Sequence, residues 1–205
     1  MLFRSYGDVK NVTRTIQVYE AMGASSIFIE DQMSPKRCGH MDGKSVVPVE
    51  AMEQKIRAAA AARKSRDTFL IARTDARATE GLDGALRRGE RYIRAGADGL
   101  FVEAPLTVKE LETVGKAFDV PQFCNMLTSG KTPILTNKEL YDMGFEMVVH
   151  GITLVMGVAK AMKDMLADLK NDNIQAIAGK SATFDEFKQI TRFNEWVALE
   201  DRFNR

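Results

Sequence analysis

From residue 8 to residue 170 the chain alternates short apolar runs with longer amphipathic stretches. Val9, Val12, Ile16, Tyr19 and Ala21-Met22 recur at helical spacing, and Gly23 stops the run, which predicts a helix over 8–22. Residues 25–30 read as a buried strand. After a connection of about seventeen residues the pattern repeats: a helix over 48–64, a strand over 68–73, a helix over 82–95 closed by Gly96, a strand over 98–103 and a helix over 107–117. It continues with a strand over 121–125, a helix over 136–143 ending at Gly144, a strand over 146–150 and a helix over 153–170. A polar linker containing Gly179 leads to two short amphipathic helices, 184–190 and 193–203.

Helices between successive short apolar strands require crossover connections, and hence a parallel sheet of the α/β class. All five strands end in a polar side chain: Glu30, Arg73, Glu103, Asn125 and His150. That is the layout of a barrel or doubly wound sheet whose site lies at the C-terminal strand ends. No Gly-x-Gly-x-x-Gly and no phosphate-loop motif follows any strand, so nucleotide binding has no motif behind it. Five units fall short of the eight that close a barrel.

Composition narrows the picture only by exclusion. The formal net charge is +1, with Lys and Arg dispersed, so nothing points to a nucleic-acid or membrane partner. No apolar run approaches a membrane span, and the opening Met1-Leu2-Phe3-Arg4-Ser5 is too short for a secretory signal. Two cysteines among 205 residues suit a reducing cytoplasm better than a disulfide framework.

The long connection after the first strand carries the candidate chemistry. Ser26-Ile27-Phe28-Ile29 runs into two carboxylates, Glu30-Asp31, then Lys36-Arg37-Cys38-Gly39-His40 packs two cations, a thiol, a glycine and an imidazole together. Cations beside a thiol favour its reactive form. Cys124, inside an apolar strand, reads as a small core residue.

These segments resemble the isocitrate lyase and phosphoenolpyruvate mutase superfamily. Ile29-Glu30-Asp31-Gln32 with Lys36-Arg37-Cys38-Gly39-His40 is similar to its signature strand and catalytic loop. Ala72-Arg73-Thr74-Asp75-Ala76, Val102-Glu103-Ala104-Pro105, and Asn125-Met126 with Gly130-x-Thr132-Pro133 resemble its next strand ends. The resemblance runs from Tyr6 onward. It implies a TIM-type (β/α)8 barrel, here only its last five β/α units plus C-terminal helices: residues 1–170 as a partial barrel, residues 171–205 as a helical extension packing on a neighbouring subunit. It further implies Mg2+, a small carboxylate substrate and a homotetramer that exchanges a C-terminal helix. In that context the stripe Phe184, Phe187, Phe193, Trp196 and Phe203, otherwise simple helix packing, would meet a neighbour.

The implied reaction splits a 2-hydroxy di- or tricarboxylate of the methylisocitrate or dimethylmalate kind in a retro-aldol sense. A phosphonate-forming mutase on the same scaffold and an inactive fragment are the alternatives. Cys38 is the expected general acid, tuned by Lys36; Gly39, His40, Arg73, Glu103 and Asn125 are expected to hold substrate, with Glu103 supporting Arg73 or His40. Glu30 is the expected metal-site carboxylate, and Thr153 fits either a site hydroxyl or a helix cap. The departures are at the start. Ser5 stands in place of a family glycine, and Met1 and Phe3 stand where two metal-facing aspartates are expected. A truncated chain with an incomplete metal site follows as an expectation.

Overall fold

The structure, a computed structural model, describes residues 6–204. In chain order the elements are α1 (Val9–Ala21), β1 (Ser26–Glu30), α2 (Val49–Ala62), β2 (Phe69–Thr74), α3 (Arg77–Arg94), β3 (Gly99–Val102) and α4 (Val108–Gly115). They continue with β4 (Gln122–Asn125), α5 (Asn137–Asp142), β5 (Met147–Val149), α6 (Thr153–Lys170), α7 (Ile174–Ala178), α8 (Phe184–Ile190) and α9 (Phe193–Phe203). The strands form one sheet in the order β1-β2-β3-β4-β5, every neighbouring pair parallel, so spatial order equals chain order. This is the wall of an α/β barrel, five strands of it, with β1 and β5 as its edges.

Strand period fixes what each face does. Ile27, Ile29, Leu70, Ala72 and Leu100 point outward and pack with Val12 and Ile16 of α1 and with Met52 and Ile56 of α2. Val102, Cys124 and Met126 do the same against Leu111 and Val114 of α4 and Leu140 of α5. The opposite, inner face is aromatic: Phe28, Phe69, Ile71, Phe101 and Phe123 pack together there. Fully burying an aliphatic side chain of the outer layer contributes roughly 1.5–3 kcal/mol, so the outer layer stabilises the sheet and leaves the inner face free for a site.

Two elements depart from the pattern read along the sequence. α3 begins at Arg77, not 82, because a turn over 77–80 joins it across Gly81, whose φ of +75° is left-handed and suited to glycine. α7 lies in the stretch expected to be a linker; five residues are too few to show a period. The compact division of the chain falls between Thr153 and Leu154, whereas the sequence reading drew the boundary at 170. α6 therefore groups with α7, α8 and α9, and none of these four helices has a buried residue. Phe184, Phe187, Phe193, Trp196 and Phe203 are all exposed, so intrachain helix packing does not account for the stripe. Met1, Phe3 and Ser5 lie outside the described residues.

Candidate active site

The period-two alternation that sends Ile29, Ala72, Val102 and Cys124 outward sends Glu30, Arg73, Glu103 and Asn125 inward. All four stand within one residue of the C-terminal ends of adjacent strands. Register staggers them: Glu30 pairs with Arg73, Arg73 with Phe101, and Phe101 with Phe123, so Glu103 and Asn125 lie one step above the aromatic layer. Arg73 stacks over the Phe101 ring at 5.0 Å. A cavity of 580 Å³ sits on this inner face, its floor formed by Phe28, Ile71, Phe101 and Phe123 and its rim by Lys36, Cys38, Gly39, His40, Arg73, Glu103 and Asn125. An apolar floor under a few converging polar groups is the usual make-up of a small-molecule site.

Arg73 is the hub. Its Nε contacts Asp75 Oδ2 at 2.9 Å and Glu30 Oε2 at 3.4 Å, its Nη2 donates to Asp75 Oδ1 at 3.2 Å, and its Nη1 lies 3.4 Å from Glu103 Oε2. Arg73 is 3% exposed. Burial works against its charge, but Glu103, Asp75 and Glu30 together raise its affinity for the proton. Asp75 shows the reverse: burial would raise its pKa, and Arg73 and Lys44 hold it below the ordinary value.

Asp31 parts company with Glu30. One residue further along, it leaves the inner face and accepts hydrogen bonds from the Thr74 hydroxyl (2.7 Å), the Asp75 amide (2.9 Å) and the Tyr92 hydroxyl (2.8 Å). Burial pushes its pKa up. The two adjacent carboxylates read at the end of the first strand thus divide, one to the site and one to the core.

The connection from β1 to α2 folds over the strand ends. Gln32 clasps the backbone of Arg37, accepting from its N–H (2.9 Å) and donating to its carbonyl (3.0 Å). Lys36 turns its ammonium onto Glu30, 2.8 Å from Oε1 and 3.0 Å from Oε2. Gly39 lies so close to Glu103 that a Cβ would overlap the carboxylate, which explains glycine at that position. Cys38 is exposed and lines the cavity. Cys124 is buried on the outer face, which pushes its thiol up to about 12 and keeps it protonated.

His40 is held from above. The Lys131 amide donates to its Nδ1 at 3.0 Å, which leaves the proton of the neutral ring on Nε2. Nε2 lies 3.2 Å from Glu103 Oε1 and 3.4 Å from Asn125 Nδ2. Asn125 Oδ1 has no partner, so rotating that amide would present the acceptor to the ring N–H. Burial lowers the pKa of His40, with Glu103 acting against it. A Cβ on Gly130 would come within 2.7 Å of the ring, so the turn that delivers the Lys131 amide requires glycine.

All residues singled out for the site from the sequence therefore converge, with Glu30 beneath Lys36 rather than on the cavity wall. Thr153 does not cap α6: its Oγ1 has no hydrogen-bond partner. His150 is exposed and does not line the cavity. Lys44 was missed, although its ammonium reaches Asp75 at 3.1 Å and also donates to the Gly39 carbonyl; a lysine two residues past a His-x-Asp was the available signal. As expected from the sequence, the metal site is incomplete among the described residues. Glu30 already faces two cations, and no three His, Cys, Asp or Glu side chains among the described residues converge as a cation cage, whereas Mg2+ takes an octahedron of oxygens.

With this geometry in place, the comparisons with known proteins fall into line. The family model for phosphoenolpyruvate phosphomutase matches residues 3–170. The chain belongs to that family. It is 42% identical over 202 residues to carboxyvinyl-carboxyphosphonate phosphorylmutase, chloroplastic, of Arabidopsis thaliana, covering 97% of this chain and 60% of that protein. It is also 42% identical over 197 residues to 2-methylisocitrate lyase of Halalkalibacterium halodurans, covering 95% of this chain and 65% of that protein. The crystal structure of 2,3-dimethylmalate lyase superposes with a TM-score of 0.85 at 30% identity, over 97% of this chain and 66% of that one. A phosphonopyruvate hydrolase solved with oxalate and Mg++ superposes at 0.81 and 28% identity, over 98% of this chain and 70% of that one. The chain thus spans about three fifths to seven tenths of the length of each of these proteins.

Proposed function

We propose that this chain carries the catalytic face of a carbon–carbon lyase that cleaves a 2-hydroxy di- or tricarboxylate of the 2-methylisocitrate or 2,3-dimethylmalate kind. The observation that carries the reading is the convergence of an exposed thiol, Cys38, with Arg73, His40 and Asn125 on one cavity wall. Arg73 offers a planar, permanently charged donor set suited to a substrate carboxylate. His40 Nε2 and the Gly39 amide are the neutral donors beside it, and Glu103 fixes both Arg73 and His40. When the bond between the hydroxyl-bearing carbon and its neighbour breaks, the hydroxyl proton passes to solvent water at the cavity mouth, a carbonyl forms, and the electron pair passes to the leaving carbon. Cys38 then delivers a proton to that carbon as general acid. The phenylalanine floor excludes water from the carbanion.

The identity to the Arabidopsis phosphorylmutase supports a second reading, phosphorus–carbon chemistry in the same cavity. Two free thiols suit a reducing compartment, and we assign the chain to the cytoplasm. The test is to incubate the chain separately with 2-methylisocitrate, 2,3-dimethylmalate and phosphonopyruvate, with and without Mg2+. Release of a 2-oxoacid from either of the first two supports the lyase; turnover of phosphonopyruvate alone supports the mutase; turnover of none contradicts both.

A further inference from the structure

Two clasps flank the candidate acid. On one side of Cys38 the Gln32 amide holds both backbone groups of Arg37. On the other, the Lys44 ammonium donates to the Gly39 carbonyl and to Asp75 Oδ1, 3.1 Å away. Lys44 has a side chain only 2% exposed. An ammonium buried in this way is stable only while its counterion is in contact, and that counterion belongs to the segment just past β2, not to the loop. Asp75 is itself immobilised by two bonds from Arg73. The carbonyl that Lys44 holds belongs to the peptide joining Gly39 to His40, so its orientation fixes the Cα that carries the imidazole and the Cα of Gly39, the residue directly after the thiol-bearing Cys38.

We propose that Lys44 is a positioning residue for Cys38: anchored on Asp75, it pins the Gly39 carbonyl and holds the thiol and imidazole at the cavity mouth without touching the substrate. The inference rests on the lyase reading for its catalytic consequence, but not for its structural one. Trypsin supplies a readout independent of turnover, because Lys36 and Arg37 lie inside the pinned segment and Arg57 lies exposed on α2 as an internal reference. The experiment compares wild type with Lys44→Met, Lys44→Arg and Asp75→Asn, following cleavage after Lys36 and Arg37 by mass spectrometry and kcat and KM on the acid that wild type cleaves.

In Lys44→Met, cleavage after residues 36 and 37 should rise at least about tenfold relative to cleavage after Arg57. kcat should fall about tenfold or more, with KM within about threefold. Lys44→Arg, which keeps the cation, should recover most of the protection and of kcat. Adding Lys44→Met to Asp75→Asn should change the cleavage ratio less than twofold, because the pin is already lost. Equal ratios in wild type and Lys44→Met, acceleration at all three sites in parallel, or a rise in KM at unchanged kcat would overturn the proposal. If Lys44→Met does not fold, Lys44→Arg and Asp75→Asn decide: protection unchanged in Asp75→Asn overturns it. A wild type that cleaves no acid defeats the lyase reading, while the trypsin ratios still judge the pin.

Discussion

At the scale of single residues, the site is a balanced cluster rather than a positive patch. Arg73, Lys36 and Lys44 face Glu30, Asp75 and Glu103, and each cation is already committed to a carboxylate. Replacing Arg73 by Met leaves three buried carboxylates short of their shared counterion, and stability should fall by about 3–5 kcal/mol, measured as the urea midpoint and its slope. Arg73→Lys should lose less. His40 gives the pH signature. Its folded pKa is lowered by burial while the unfolded ring keeps the ordinary value of 6.5, so below that value the unfolded chain takes up the proton first. Stability should therefore fall as pH drops from about 6.5, and His40→Gln should flatten that part of the urea-midpoint profile. A profile unchanged by His40→Gln would remove the imidazole from the account.

At the scale of elements, strand period does most of the positioning, and it was readable in advance. Glu30, Arg73, Glu103 and Asn125 each close an apolar run, and a parallel sheet brings such ends together. Asp31 shows the limit of that reading, because adjacent carboxylates on a strand must face opposite ways. Lys44 shows another: its partner lies 31 residues along the chain, and nothing local in Asp42-Gly43-Lys44 reports a contact made only when the loop folds back. The start of α3 was misplaced because a left-handed Gly81 can end a helix or be bridged within one. Period also separates stability from binding. Ile29→Ala, on the outward face with no exposure, should cost about 2–4 kcal/mol and leave KM unchanged. Phe101→Ala, on the cavity floor, should alter both, as paired urea titrations and kinetics would show.

At the scale of the whole molecule, the outward apolar surface of α6 to α9 needs an explanation that the chain alone does not provide. Leu154, Val158, Phe184, Trp196 and Phe203 are each more than half exposed, and exposed large apolar side chains in this number are what an interaction surface supplies. We propose further copies of the chain as the partner. Sedimentation should then give a mass that is a multiple of 22.8 kDa, and Phe184→Glu with Trp196→Glu should lower it; a monomer at all concentrations would contradict this. The central claim, however, is chemical: the strand ends grip a small hydroxy-polyacid and Cys38 protonates the carbon that leaves. Its most direct measurement is 2-oxoacid release from 2-methylisocitrate or 2,3-dimethylmalate by wild type and by Cys38→Ala. The account predicts release by wild type and a loss of about 10²–10⁴-fold in kcat for the variant, with an unchanged urea midpoint. Equal release by the two proteins would contradict it.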